Sequence, residues 1–330
     1  MSDVSVVIPT RDRSGLLALT LRCALRQRGV DLEVVVVDDG STDNSVDLLR
    51  RLGDPRVHLV RHATPTGVSA SRNTGVAAAR GEWVAFLDDD DLWAPDKLTR
   101  QLQAAEEAGR AWVYAGAVNV DDRLRILEGG PPPPPEQVPE LLSRYNPVPA
   151  GASNVMVRAD ALARVGSFDP RLRRTEDWDL WIRLARDGPP AAVRRPLVAY
   201  RMHPHSNAFV DTAEILTETA EIERRYGIPV DRAAHYRRAA WISLRAGRRW
   251  RAAGYYARAV RRGDVGSLAR VIVGLGYPGV ASARRHRRWR PDRELARWRA
   301  DAQRWLDEVA NTRSGSAGDE EGRWQGPLRS

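Results

Sequence analysis

The chain has 330 residues, 42% of them hydrophobic and 29% charged, a composition that suits a globular protein with a sizeable core and excludes global disorder. A single cysteine, Cys23, excludes an intramolecular disulfide framework and any multi-cysteine zinc site. The net charge of +9 is unevenly spread: residues 1–210 are near neutral, whereas residues 211–330 carry 25 basic against 15 acidic side chains. Such a basic third reads either as a solvated helical surface or as a face drawn to an anionic membrane or another polyanion. An apolar run starts at Val4 with no basic leader ahead of it, and Val271 to Ala283 is broken by Gly274, Gly276, Pro278 and Gly279. That stretch is too short to span a bilayer, which needs about 20 apolar residues. A soluble cytoplasmic protein is the expectation.

Two periods alternate over the first 120 residues. The β-branched runs Val4–Ile8, Val34–Val37, Val57–Val60 and Trp83–Leu87 predict buried strands of a parallel sheet. Between them lie helix-period segments, the first capped by Ser14 and the second by Asp43. Ser69 to Arg80 predicts a small-residue helix closed by Gly81, and Pro95 opens another that runs to Gly109. Strand–helix alternation of this kind means βαβ units, whose ligands bind beyond the carboxyl ends of the strands. Pro131 to Pro135 predicts a stiff polyproline II loop. After it come a strand at Ser153–Val157, helices at Ala159–Val165 and Asp177–Arg186, and a strand at Leu197–Arg201. From Asp211 to Leu306 the pattern is helical, with breaks at Gly227–Pro229, Gly247, Gly263 and Gly274–Gly279. Trp241 to Arg262 reads as one tetratricopeptide-type helix pair, and a single copy is not an array. The polar tail after Asn311 predicts disorder.

Three acidic clusters carry chemistry. The second strand ends in DDGSTDNS, residues 38–45, where a turn and a helix cap account for Asp43 but not for both Asp38 and Asp39. FLDDDDLW, residues 86–93, sets four aspartates directly after an apolar strand, where they repel one another without a counter-ion. Hard oxygen ligands select Mg²⁺, Mn²⁺ or Ca²⁺ over zinc, and the glycine and distal glutamate of a calcium-binding EF-hand loop are missing. In RRTEDWDLWIRL, residues 173–184, Glu176, Asp177 and Asp179 open an amphipathic helix, where the helix dipole alone favours acids. A carboxylate held there beside Trp178 and Trp181 also suits a general base toward a sugar hydroxyl. GLGYPG at 274–279 matches a dinucleotide fingerprint only formally, because it follows helical sequence and no second strand succeeds it.

The segments VSVVIPTRDR (4–13), VVVVDDGSTDNS (34–45), GVSASRNTG (67–75), GEWVAFLDDDDLW (81–93), SNVMVRADALARVGSFDP (153–170), TEDWDLWIRLA (175–185) and PLVAYRMHPHS (196–206), in this order and spacing, resemble the family 2 inverting glycosyltransferases. The resemblance covers roughly residues 3–210 and implies an α/β, Rossmann-like domain of the A-type glycosyltransferase (GT-A) fold with a mostly parallel sheet. It divides the chain into a catalytic domain (1–210), a helical C-terminal region (211–310) and a tail (311–330).

The same resemblance implies a nucleotide-sugar donor of the UDP or dTDP type, a divalent cation, Mn²⁺ or Mg²⁺, and inversion at the anomeric carbon. Pro9, Thr10, Arg11 and Asp39 would border the nucleobase, Asp38 would buttress that loop, and Arg72 would contact the nucleotide or its diphosphate. Asp88 and Asp90 match the outer members of the family's Asp-any-Asp motif. Asp90 is the metal ligand in this reading, and Asp88 or Asp89 reaches the ribose; aspartate at position 89 leaves the ligand set within 88–91 open. Asp177 matches the catalytic base. His203 sits where related sequences place a histidine near the diphosphate or metal, and an ordinary surface histidine is the other reading.

Two further functions compete. One is a catalytically idle scaffold that binds nucleotide or carbohydrate; the other is nucleic-acid binding through RRHRRWRPDR at 284–293, for which no recognisable module is present. No nucleic acid is expected as a partner. A carbohydrate or lipid-linked acceptor is expected, with peripheral contact to an anionic membrane through Arg284–Arg290 and the apolar stretch Val271–Val280.

Overall fold

A computed structural model describes residues 3–203, 212–245, 247–268, 270–271 and 293–314. It divides into two units. The first comprises Met1–Pro139, Pro147–Met202 and Arg297–Ser330, and the second Glu140–Asn146 and His203–Ala296.

The first unit is built on one sheet of nine strands in the order β3-β2-β1-β4-β8-β6-β9-β5, with β7 on β6. β1 (Val4–Thr10), β2 (Leu32–Asp38), β3 (Val57–Arg61) and β4 (Trp83–Phe86) pair in parallel. Every residue of β1, β2 and β4 is buried, the near-continuous apolar pattern of a sheet covered on both faces. Their crossovers are α1 (Ser14–Leu25), α2 (Ser45–Leu52) and α3 (Val68–Ala78). Next come β5 (Leu92–Trp93), α4 (Lys97–Ala108), β6 (Trp112–Val120) and β7 (Ile126–Gly130). β8 (Met156–Arg158) runs antiparallel to both β4 and β6, whereas β9 (Ala191–Arg201) runs parallel to β6. The helices between β7 and β9 are α5 (Val138–Leu142), α6 (Ala159–Val165) and α7 (Glu176–Asp187).

Several local expectations change. No strand is expected over 112–120, because Ala115–Gly116–Ala117 dilutes the β-branched signal, yet β6 is the longest-paired partner of β9. The expected strand at 153–157 begins as a 3₁₀ turn, Gly151–Asn154, and becomes a strand only at Met156. Ser14 is not a cap. Instead Asp43 serves two helices at once: its Oδ2 accepts from the Ser14 amide (3.0 Å) and its Oδ1 from the Ser45 amide (2.9 Å).

The last described helix, α11 (Arg293–Ser314), also departs from the expected division at residue 210, since from Arg297 onward it belongs to the first unit. Trp305 and Leu306 join the main core, and the Trp305 indole donates to the Pro196 carbonyl at 2.8 Å. Arg195 and Asp301 add a two-pronged ion pair, both contacts 2.9 Å.

The second unit contains α8 (Thr212–Tyr226), α9 (Arg232–Arg245) and α10 (Arg249–Val260). α9 and α10 form a helix pair around Ala239, Ala240, Ala252, Tyr255 and Tyr256, with Gly247 at φ +71° in the turn between them; its first helix starts at Arg232, ahead of the expected Trp241. The GLGYPG segment, the Arg284–Arg290 run, most of 271–280 and the tail beyond Ser314 lie outside the described residues. Among the described residues no helix is long and apolar enough to cross a membrane.

One glycine decides where α3 sits. A Cβ on Gly75 would lie 2.3 Å from Val7 Cγ1 of β1 and 3.3 Å from Val37 of β2. Only glycine lets the helix approach this closely, and the approach brings Arg72, one turn earlier, over the carboxyl end of the sheet. Gly75→Ala should therefore cost about 1–3 kcal/mol, the usual scale of core overpacking. Urea unfolding at neutral pH measures it, and an unchanged midpoint would refute the packing argument.

Candidate functional site

The four aspartates 88–91 leave β4 as a tight turn, with the Asp91 amide donating to the Asp88 carbonyl at 3.2 Å. Neighbouring elements hold the turn in place. The Thr20 hydroxyl of α1 donates to the carbonyls of Asp89 (3.0 Å) and Asp91 (2.9 Å), and the Asp88 amide donates to Ser153 Oγ (3.0 Å). Asp91 is fully buried and accepts from the Arg201 amide of β9. A helix, a 3₁₀ turn and a strand are thereby tied to one acidic loop.

Two arginines balance part of its charge. Arg13 Nη1, just beyond β1, donates to Asp89 Oδ1 (3.0 Å) and Asp90 Oδ2 (2.9 Å), while the Thr10 hydroxyl donates to Asp89 Oδ2 (2.7 Å). Arg72 of α3, only 3% exposed, donates from Nη2 to Asp88 (2.6 Å) and from Nη1 to Glu176 of α7 (2.9 Å). Its guanidinium also lies 5.1 Å above the Phe168 ring. Burial opposes its charge, but Asp88 and Glu176 outweigh that and hold it firmly protonated. The compensation is incomplete. Burial, followed by the Asp90 charge, pushes Asp89 up to about 7 despite its bonds to Arg13 and Thr10. Burial and the charges of Asp90 and Asp88 push Asp91 well up too.

Asp177 stands in the first turn of α7, half-buried, with Oδ1 accepting from the Trp178 amide at 2.7 Å. Ala150 and Gly151 both take left-handed backbone (φ +57° and +52°), which brings Gly151 so close that a Cβ there would be 3.0 Å from Asp177 Oδ2. Burial and the adjacent Glu176 charge push Asp177 up to about 7, with Arg72 pulling the other way. Glu176 is itself buried, and its Oε2 has no hydrogen-bond partner.

The residues expected at the nucleobase divide. Pro9 and Thr10 end β1 beside Val37 and Asp38, and Arg11 is exposed. Asp38 turns back on its own loop, accepting from the Ser41 amide and pairing with Arg61 Nε at 3.1 Å. Asp39 anchors a second loop: Oδ1 accepts from the Thr66 amide and hydroxyl and contacts His62 Nδ1 (2.9 Å), and Oδ2 accepts from the Gly67 amide. Burial resists its ionisation, but these bonds prevail and hold it down to about 2. His203 is 5% exposed, which removes the surface-histidine reading, and it belongs to the second unit.

Sequence reasoning did not single out Arg13, Glu176, Thr20 or Ser153 as site residues. Arg13 closed a quoted motif and Glu176 was visible only as a first-turn acid. The hydroxyls of Thr20 and Ser153 gave no signal, because their partners lie more than 60 residues away in sequence.

Among the described residues no three or more His, Cys, Asp or Glu side chains form a group able to hold a metal unaided. What the loop does offer is hard carboxylate oxygens with negative charge in excess of the two arginines. Such a donor set fits Mg²⁺ or Mn²⁺ bound through one or two carboxylates and completed by a ligand's own phosphates.

A family profile described as "Glycosyl transferase family 2" matches residues 5–165. The chain is similar to the amylovoran biosynthesis glycosyltransferase AmsB of Erwinia amylovora, 31% identical over 61% of this chain and 71% of that one. It is also similar to the putative teichuronic acid biosynthesis glycosyltransferase TuaG of Bacillus subtilis, 29% identical over 60% and 79%. The succinoglycan biosynthesis protein ExoO of Rhizobium meliloti is 41% identical over 107 residues, and that match spans only 31% of ExoO. Two solved structures share the fold. Residues 1–349 of S. aureus TarS in complex with UDP-GlcNAc superpose with a TM-score of 0.54 at 16% identity, covering 95% of this chain and 92% of that one. The mannosyltransferase PcManGT of Pyrobaculum calidifontis, in complex with GDP-Man and Mn²⁺, gives 0.55 at 20% identity, covering 96% and 88%. A parallel β1–β4 block with an acidic loop at its carboxyl end, matched in sequence and in fold in this way, makes the chain a member of glycosyl transferase family 2 with the GT-A fold.

Proposed function

We propose that the protein transfers a sugar from a nucleoside-diphosphate donor to an acceptor hydroxyl in a single displacement that inverts the anomeric carbon. The observation that carries this reading is the Asp88–Arg72–Glu176 chain, which sets the half-buried Asp177 beside the acidic loop. Inversion needs one base for the acceptor hydroxyl and no protein nucleophile. A carboxylate with a pKa of about 7 is matched to that task near neutral pH.

The other residues take supporting roles. Pro9, Thr10 and Arg11, with the loops anchored by Asp38 and Asp39, border the nucleobase, and Asp89 faces the ribose. Arg72 stands toward the diphosphate while fixing Asp88. Mg²⁺ or Mn²⁺ would be held by Asp88 and Asp90 together with the donor phosphates, and would supply positive charge to the leaving nucleoside diphosphate. Arg13 restrains Asp89 and Asp90 so that the loop keeps one shape with the donor absent.

TarS with UDP-GlcNAc and a similar Escherichia coli protein named as a UDP-Glc glucosyltransferase acting on a diphosphoundecaprenol-linked sugar support a UDP-sugar donor, with a dTDP-sugar as the other reading, and a lipid-linked acceptor. AmsB and TuaG point the same way, to polysaccharide or glycoconjugate assembly. In this reading the first unit is catalytic, the helical second unit is accessory, and the enzyme works in the cytoplasm at the membrane face where a lipid carrier presents its sugar.

Asp177→Asn should keep donor affinity and lower kcat by on the order of a hundredfold to ten-thousandfold. Asp177 must be ionised to accept the proton, so wild-type kcat/KM should rise as pH climbs through about 7. Steady-state transfer kinetics and donor titration calorimetry check both expectations. Parallel losses of donor binding and turnover would make Asp177 structural instead.

Transfer should also cease in EDTA, return with Mn²⁺ or Mg²⁺, and be lost in Asp90→Ala with its circular dichroism unchanged. Full turnover by EDTA-stripped protein would overturn the cation assignment.

A further inference from the structure

Among the described residues, one face of α10 stays exposed. Its buried side is Ala252, Ala253, Tyr255, Tyr256 and Ala259. The opposite side, Trp250, Gly254, Arg258 and Arg261, recurs at helical spacing and is exposed throughout. Arg248, Arg249, Arg251 and Arg262 flank that stripe and are exposed as well. No acid interrupts the chain from Arg248 to Arg262. The first acid beyond, Asp264, is engaged by Arg237 Nη1 (3.0 Å) and by Ser267.

Large apolar groups stand out of the same segment. Trp250 is 80% exposed, and just past the helix Val265 is 72% and Leu268 52% exposed. An isolated exposed apolar residue needs no explanation, but these three mark both ends of a basic stripe.

We infer that the exposed face of α10, from Trp250 to Leu268, is a peripheral docking surface for a bilayer rich in anionic lipid. An interfacial helix binds in the plane of the membrane, with cationic side chains at the headgroups and apolar ones dipping to the acyl boundary. The charge is complementary: Arg258, Arg261 and the flanking arginines face phosphates with no acid among them. The apolar chemistry selects a lipid surface over a nucleic acid, since Val265 and Leu268 offer nothing to stack on a base, whereas both gain by leaving water. The surface deepens the membrane-side reading given above and rests on it for its purpose, because it brings the enzyme to a lipid-linked acceptor. Binding is measured without donor or acceptor, so its failure and a failure of transfer are separate results.

The test is co-sedimentation of the full chain with vesicles of phosphatidylcholine alone or containing about a third phosphatidylglycerol. Pelleting is expected only with phosphatidylglycerol and should fade in high salt. Each arginine near an anionic leaflet is worth about a fivefold change, so Arg249→Gln/Arg258→Gln/Arg261→Gln should weaken binding about a hundredfold. Trp250→Gln/Val265→Ser/Leu268→Ser should weaken it at low salt, where the wild type binds. All six positions are exposed, and far-UV circular dichroism confirms that both variants fold. Wild-type pelleting by either variant, or no pelleting of the wild type at low salt, overturns the inference. Binding of a random single-stranded oligonucleotide without vesicle binding overturns it in favour of nucleic acid.

Discussion

The candidate site depends on one buried cation. Arg72 reaches from α3 to two carboxylates that the chain supplies 16 and 104 residues later, Asp88 on the loop after β4 and Glu176 at the start of α7. Burying Arg72 beneath Phe168 is unfavourable unless it meets counter-charges, and removing one partner of a buried ion pair costs about 3–5 kcal/mol because the other charge is left uncompensated. The same contacts therefore stabilise the unit and fix the distance between the acidic loop and Asp177. Gly75, by letting α3 lie against Val7, places the arginine where it can do both.

The acidic loop follows the same physics with a different balance. Four successive aspartates are too much charge for Arg13 and Arg72 to neutralise, and burial together with the Asp90 charge pushes Asp89 up to about 7. A loop specified purely for stability would replace some of these carboxylates with neutral groups, since buried ion pairs are seldom better than apolar packing. Thr20 and Ser153, which hold its backbone, and the Arg201 amide, which holds the Asp91 carboxylate, are instead the supports expected of a loop kept in one shape for a charged ligand.

Arginine takes two contrasting roles in the two units. In the first, Arg13, Arg72 and Arg195 each meet named carboxylates and define geometry. In the second, α10 presents arginines outward along one stripe while its alanines and tyrosines form the small core with α9. The uneven charge seen along the chain is thus a difference in architecture, not only in composition. α11 qualifies any simple split at residue 210, because Trp305 returns its end to the sheet of the first unit.

The sequence by itself determined the strands β1 to β4, the helices between them, the acidic motifs and their order. Each is a local matter: buried parallel strands must be continuously apolar, and carboxylates that close such strands are visible wherever they stand. It also determined the α9–α10 pair, since Gly247 interrupts an otherwise helical pattern. Tertiary structure decided the rest. β6 exists because β8 and β9 flank it, not because Ala115–Gly116–Ala117 favours extension. Asp43 caps two helices only after β1 and β2 align side by side, and Asp39 becomes a loop anchor only when Thr66 and Gly67 fold back over it. Arg72, Glu176 and Asp177 were legible one at a time, but a contact spanning 104 residues leaves no periodicity to read. Periodicity reports what each segment must bury, whereas the partner of a buried charge is settled only when distant segments meet.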